Sequence, residues 1–81
     1  MKNYKVTGGP ISTTTLKHIV DECNFTHESS TSNSFPFRIG VNWYWAIFMA
    51  DTLIGFEVYG FNDPKVLIDL GKQYYFNVIE E

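Results

Sequence analysis

The stretch Trp43–Gly60, WYWAIFMADTLIGFEVYG, holds two runs of aromatic and β-branched residues on either side of Asp51 and Thr52. Such residues suit a pleated, half-buried surface, and a polar break between two such runs predicts a β-hairpin. With Asp51 and Thr52 as a two-residue loop, Ala50 pairs with Leu53, Met49 with Ile54, Ile47 with Phe56 and Trp45 with Val58. One face of the hairpin is then wholly apolar and fit for a core. The other carries Phe48 opposite Gly55, Ala46 opposite Glu57 and Tyr44 opposite Tyr59. Because side chains alternate with period two, the register alone decides which of these faces is buried.

Working towards the N-terminus, Phe35 to Val41 alternates with Phe35, Phe37, Ile39 and Val41 on one side and Arg38 on the other, which predicts a strand turning through Gly40 to Asn42 into Trp43. Pro36 lacks a backbone donor and places that strand at an edge or a start. Thr26 to Ser34, THESSTSNS, has no apolar anchor and is expected to be a mobile polar loop. Upstream, Leu16, Ile19, Val20 and Cys23 recur at helical spacing behind Ser12, a good N-cap. Ile11 and Leu16 are spaced as a hydrophobic staple, so a helix is predicted from Thr13 to about Asn24. Tyr4 to Thr7 forms a short first strand, stopped by Gly8, Gly9 and Pro10.

Towards the C-terminus, Asp63 and Pro64 supply a cap and a first-turn proline, followed by Val66, Leu67 and Leu70 and then Gly71 as a stop. Tyr74 to Ile79 alternates and predicts a last strand, although residues 66 to 79 also keep their apolar side chains to one side of a single longer helix. The order β-α-β-β-β-α-β specifies an α+β fold, a mainly antiparallel sheet of four to five strands with one or two helices packed on one face. Residues 1–81 read as one domain.

At 81 residues the chain can build one core, and 44% hydrophobic residues supply it. The net charge of −3, with six basic residues spread along the chain, argues against a nucleic-acid or anionic-membrane surface. No apolar run approaches a membrane span. A single cysteine, Cys23, allows no internal disulfide, and MKNYKVTGGP lacks the apolar centre of a signal peptide, so a cytoplasmic location is expected, in the host cytosol if the chain is viral.

His18, Cys23 and His27 are the metal-ligand types closest in sequence. On a helix, however, His18 and Cys23 point about 140° apart and do not converge. The carboxylates Asp51, Glu57, Asp63 and Asp69 form no acid–base pair by position, so neither catalysis nor a cofactor is expected. Gly8-Gly9 before Ser12 could present backbone N–H groups to an anion, yet no phosphate-binding signature surrounds it. What the chain offers is a surface. The face with Tyr44, Phe48, Glu57 and Tyr59, with Asp51 at the hairpin tip, is the expected partner-binding site, since aromatic residues anchor protein interfaces.

In size and composition, though not in any motif, the chain resembles the small stoichiometric inhibitors, immunity proteins and anti-defence proteins of phages and mobile elements. A non-catalytic protein-binding role with a protein partner is therefore the leading expectation. A homodimeric assembly component using the same face, and a nucleic-acid or nucleotide binder, are the alternatives.

Overall fold

A computed structural model describes all of residues 1–81. The chain forms β1 (Lys2–Gly8), α1 (Thr13–Glu22), β2 (Thr26–His27), β3 (Ser34–Ile39), β4 (Asn42–Met49), β5 (Thr52–Val58), α2 (Lys65–Tyr74) and β6 (Phe76–Glu80). The α+β class and the antiparallel sheet agree with expectation, but the sheet has six strands, in the order β2-β3-β4-β5-β1-β6. The additional strand is β2. It lies in the polar segment expected to be a loop, where Thr26 pairs with Arg38 and His27 with Phe37. Backbone hydrogen bonds from Glu28 to Pro36 and from Thr31 to Ser34 continue along the outer edge of β3.

Both helices pack on one face of the sheet. Leu16, Ile19 and Val20 of α1 and Leu67 and Leu70 of α2 meet Tyr4, Val6, Phe35, Phe37, Tyr44, Ala46, Phe48, Phe56, Val58 and Phe76 in a single core. The ends of α1 are specified locally. Ser12 Oγ accepts from the Thr15 N–H at 3.1 Å, and the staple pair Ile11 and Leu16 is buried. At the C-terminal end Asn24 takes the left-handed region (φ 59°), while Asn24 N–H donates to Asp21 and Phe25 N–H to Val20. This is a Schellman ending with Asn in place of Gly, and it turns the chain into β2.

Gly71 does not end α2, contrary to the sequence reading. The helix continues to Tyr74, and Tyr75 takes the left-handed position (φ 68°) with its N–H on the Gly71 carbonyl. Gly71 is inside the helix because the start of β6 lies directly on it: a Cβ there would run into the carbonyl oxygen of Phe76. After that reversal β6 pairs with β1, so the single longer helix is also excluded.

The central hairpin differs most from expectation. Its loop is Ala50-Asp51 rather than Asp51-Thr52, both residues having positive φ (49° and 59°) as the tightest hairpin turn requires. Met49 therefore pairs with Thr52 and Phe48 with Leu53, and a bulge at Ile54 then brings Ile47 opposite Gly55, Ala46 opposite Phe56, Trp45 opposite Glu57 and Tyr44 opposite Val58. On β5 the predicted assignment holds only past the bulge, with Phe56 and Val58 inward, whereas Ile54, expected on the core face with Met49, is exposed and Leu53 is buried. On β4 it is reversed: Tyr44, Ala46 and Phe48 enter the core, and Trp45 and Ile47 face away.

Two contacts pin the hairpin in this register. Asp51 Oδ1 accepts from the Thr13 N–H (3.1 Å) and hydroxyl (2.7 Å), and the Leu53 N–H donates to the Ile11 carbonyl. The expected apolar position of Val41 is likewise overturned. It forms the turn with Gly40 between β3 and β4 and is 89% exposed.

Candidate functional site

The sheet face opposite the helices carries an aromatic cluster. Trp43, Trp45 and Ile47 project from β4 on this side because they alternate with the buried Tyr44, Ala46 and Phe48. The Trp45 ring meets the Tyr59 ring edge to face, with centroids 5.2 Å apart and planes at 88°. Tyr59 in turn stacks on Phe61, with centroids 5.6 Å apart and planes at 5°. At the other end Arg38 lies over the Trp43 ring, its guanidinium carbon 5.8 Å from the centroid, and also reaches the Thr26 hydroxyl. Phe61 is 85% exposed although it is a large apolar ring.

The loop that presents Phe61 is held from within. Asn62 is buried; its N–H donates to the Tyr59 carbonyl, and its side-chain Nδ2 donates to the Trp43 carbonyl at 3.2 Å. Its Oδ1 has no partner, a cost that the two fixed donors offset. Asn62 thus ties the segment after β5 to the start of β4 and keeps Tyr59 and Phe61 beside the tryptophans.

The five residues expected to bind a partner fall into three places. Glu57 and Tyr59 are on the open face, next to Trp45. Tyr44 and Phe48 are not: both are core residues, and the Tyr44 hydroxyl donates to the Asp63 carbonyl at 3.2 Å. Burial, and then the Asp63 carboxylate, raise the Tyr44 phenol above its ordinary value. Asp51 is exposed at the hairpin tip, yet its carboxylate is engaged by Thr13, whose hydroxyl and then backbone N–H hold its pKa below the ordinary aspartate value. Asp51 therefore sits at the N-terminus of α1, beside the helix start that the sequence reading had considered and set aside as an anion site, and completes the cap begun by Ser12.

Trp43, Trp45, Arg38 and Phe61 were missed. The signals for them are Gly55, a glycine inside a strand that marks the bulge, and Asp51, which tolerates the left-handed turn position far better than Thr52. Moving the turn by one residue changes the pairing by two and keeps the faces; the bulge shifts β4 by one residue and exchanges them.

His27 Nε2 lies 3.0 Å from Asp21 Oδ1, Cys23 Sγ faces the Tyr74 hydroxyl at 3.7 Å, and no three His, Cys, Asp or Glu side chains converge as a metal site would need. No helix is long and apolar enough to cross a membrane. Comparisons with protein-family models, curated proteins and solved structures gave no match to this chain.

Proposed function

We propose that this chain is a non-catalytic, stoichiometric protein-binding module that docks its partner on the open sheet face through Trp43, Trp45, Tyr59 and Phe61, with Arg38 and Glu57 at the rim. The observation that supports it most is the contiguous Trp45–Tyr59–Phe61 stack, left in water on a face with no helix over it. Aromatic rings are costly to leave hydrated and rich in contact area when covered, and Trp, Tyr and Arg are the residues over-represented among interface hot spots. The carboxylate of Glu57, a partly buried residue opposite Trp45 at the rim of this face, favours a protein over a nucleic-acid strand, whose phosphates it would repel.

The test is a double variant, Tyr59→Ala with Phe61→Ala, compared with a helix-face control, Lys72→Ala. Proteins captured by the wild-type chain are purified and their affinities measured by calorimetry. A 1:1 complex that the double variant weakens by at least about thirtyfold, with the control unchanged, is the expected result, since one hot spot is worth about 2 kcal/mol. Equal affinity of wild type and double variant for every captured protein would refute it. A sedimentation experiment showing a dimer that the double variant dissociates would assign the same face to self-association instead.

A further inference from the structure

We infer that the cleft beside the aromatic stack is a receptor for one basic side chain, lysine or arginine, of the protein partner. This rests on the proposed docking face and names the chemistry that it would recognise there. The cleft has a volume of about 320 Å³ and is lined by Ile47, Ile54, Gly55, Glu57, Asn3 and Glu81 among others. That is at the lower end of the range for small-molecule pockets, about 300–1,000 Å³, and gives room for one long side chain rather than a cofactor.

Its shape follows from the hairpin. Glu57 lies opposite Trp45, and the next pair along the same face is Gly55 opposite Ile47. No side chain can stand at Gly55, because a Cβ there would run into the Tyr4 carbonyl oxygen of β1, so the floor of the cleft is backbone, and the bulge sets exposed Ile54 at the side of it. The Glu81 N–H donates to the Asn3 carbonyl at 3.1 Å, which holds Glu81 at the far wall.

Charge selects the occupant. Two ion pairs form in the molecule, Lys2 with Glu80 and Lys65 with Asp69, and His27 hydrogen-bonds Asp21; Glu57 and Glu81 are in none of these. Lys5, on the same face as Glu57 and paired with Gly55 in the sheet, makes no ion pair with it either. Glu57 is partly buried and its carboxylate has no hydrogen-bond partner within the molecule, so a cation brought to it by a partner forms a charge-assisted bond there. The walls suit the stem as well: Ile47 and Ile54 offer aliphatic contact to a (CH2)3 or (CH2)4 chain, whose charged head then reaches Glu57 and Glu81. An acidic or purely apolar residue would leave both carboxylates without a counter-charge.

The probe is N-acetyl-arginine amide, titrated into the 15N-labelled chain and followed by amide chemical shifts, with N-acetyl-citrulline amide as its neutral counterpart. Saturable shifts in the millimolar range at Asn3, Gly55, Glu57 and Glu81 are expected for arginine and not for citrulline. Glu57→Gln should weaken arginine binding by about tenfold, the worth of one charge-assisted bond, and Glu81→Gln should weaken it by less. Equal shifts with citrulline, unchanged affinity in Glu57→Gln with an otherwise native spectrum, or shifts spread evenly over other exposed carboxylates such as Asp69 would each overturn the inference. The titration uses no partner, so it can fail while the Tyr59/Phe61 variant still loses its complex, and the reverse.

Discussion

Replacing Phe48 tests the hairpin register on which the placement of the open face depends. Phe48 is 4% exposed and packs between the sheet and the helices. Phe48→Ala should cost about 3–5 kcal/mol from lost burial and the cavity left behind. A chain of 81 residues has a total stability of about 4–12 kcal/mol at 0.05–0.15 kcal/mol per residue, so this variant is close to unfolding. The milder Phe48→Leu, at about 1–2 kcal/mol, keeps the measurement in range and should lower the melting temperature by about 4–16 °C.

Its neighbour Ile47 faces the other way and is half-buried on the open side, so Ile47→Ala should cost about 1 kcal/mol or less although it removes three carbons. Urea titrations of both variants, followed by circular dichroism with an unchanged m-value, give the comparison. If Ile47→Ala proved more damaging than Phe48→Ala, the hairpin would be in the register with Ile47 inside, and the open aromatic face would not exist as described.

Four further outcomes are expected. Gly71→Ala, which at an exposed helix site would stabilise by about 1 kcal/mol, should instead destabilise by about 1–3 kcal/mol because the methyl meets the Phe76 carbonyl, and a thermal melt reads the sign. Tyr44→Phe should cost about 0.5–1.5 kcal/mol in urea titration, by removing the donor to the Asp63 carbonyl. The folded pKa of Asp51 lies below its ordinary 3.8, so its contribution to stability is complete above that value and is lost as the pH falls through the lower folded value. Urea midpoints of the wild type and Asp51→Asn should therefore converge on acidification. Finally, the Tyr59→Ala and Phe61→Ala pair should change stability by no more than about 1 kcal/mol by the same assay, since both rings are exposed.

Much of the fold was legible in the sequence because local chemistry specifies it. Ser12, Ile11 and Leu16 mark the start of α1 by cap and staple, Asp63 and Pro64 mark that of α2, and alternation of apolar residues marks four of the six strands. Glu57 and Tyr59 were placed on the open face for the same reason: β5 past its bulge keeps the predicted alternation. Alternation defines two faces on each strand, and nothing within a strand says which of them meets the helices.

That choice was made by contacts distant in sequence. Asp51 reaching Thr13, and Leu53 reaching Ile11, moved the turn to Ala50-Asp51, and the bulge at Ile54 let β4 and β5 differ by one residue, so that Trp43 and Trp45 replaced Tyr44 and Phe48 on the surface. Gly71 and Gly55 were ambiguous for a related reason, since a glycine that stops an element and one that admits a neighbouring backbone are the same letter until that backbone arrives. The sequence by itself determined the α+β class and the order of the elements other than β2. Only the tertiary structure decided which aromatic residues fill the core and which remain in water to meet a partner, because the energies that separate the two registers belong to pairings between β4, β5 and the start of α1 rather than to any one of them.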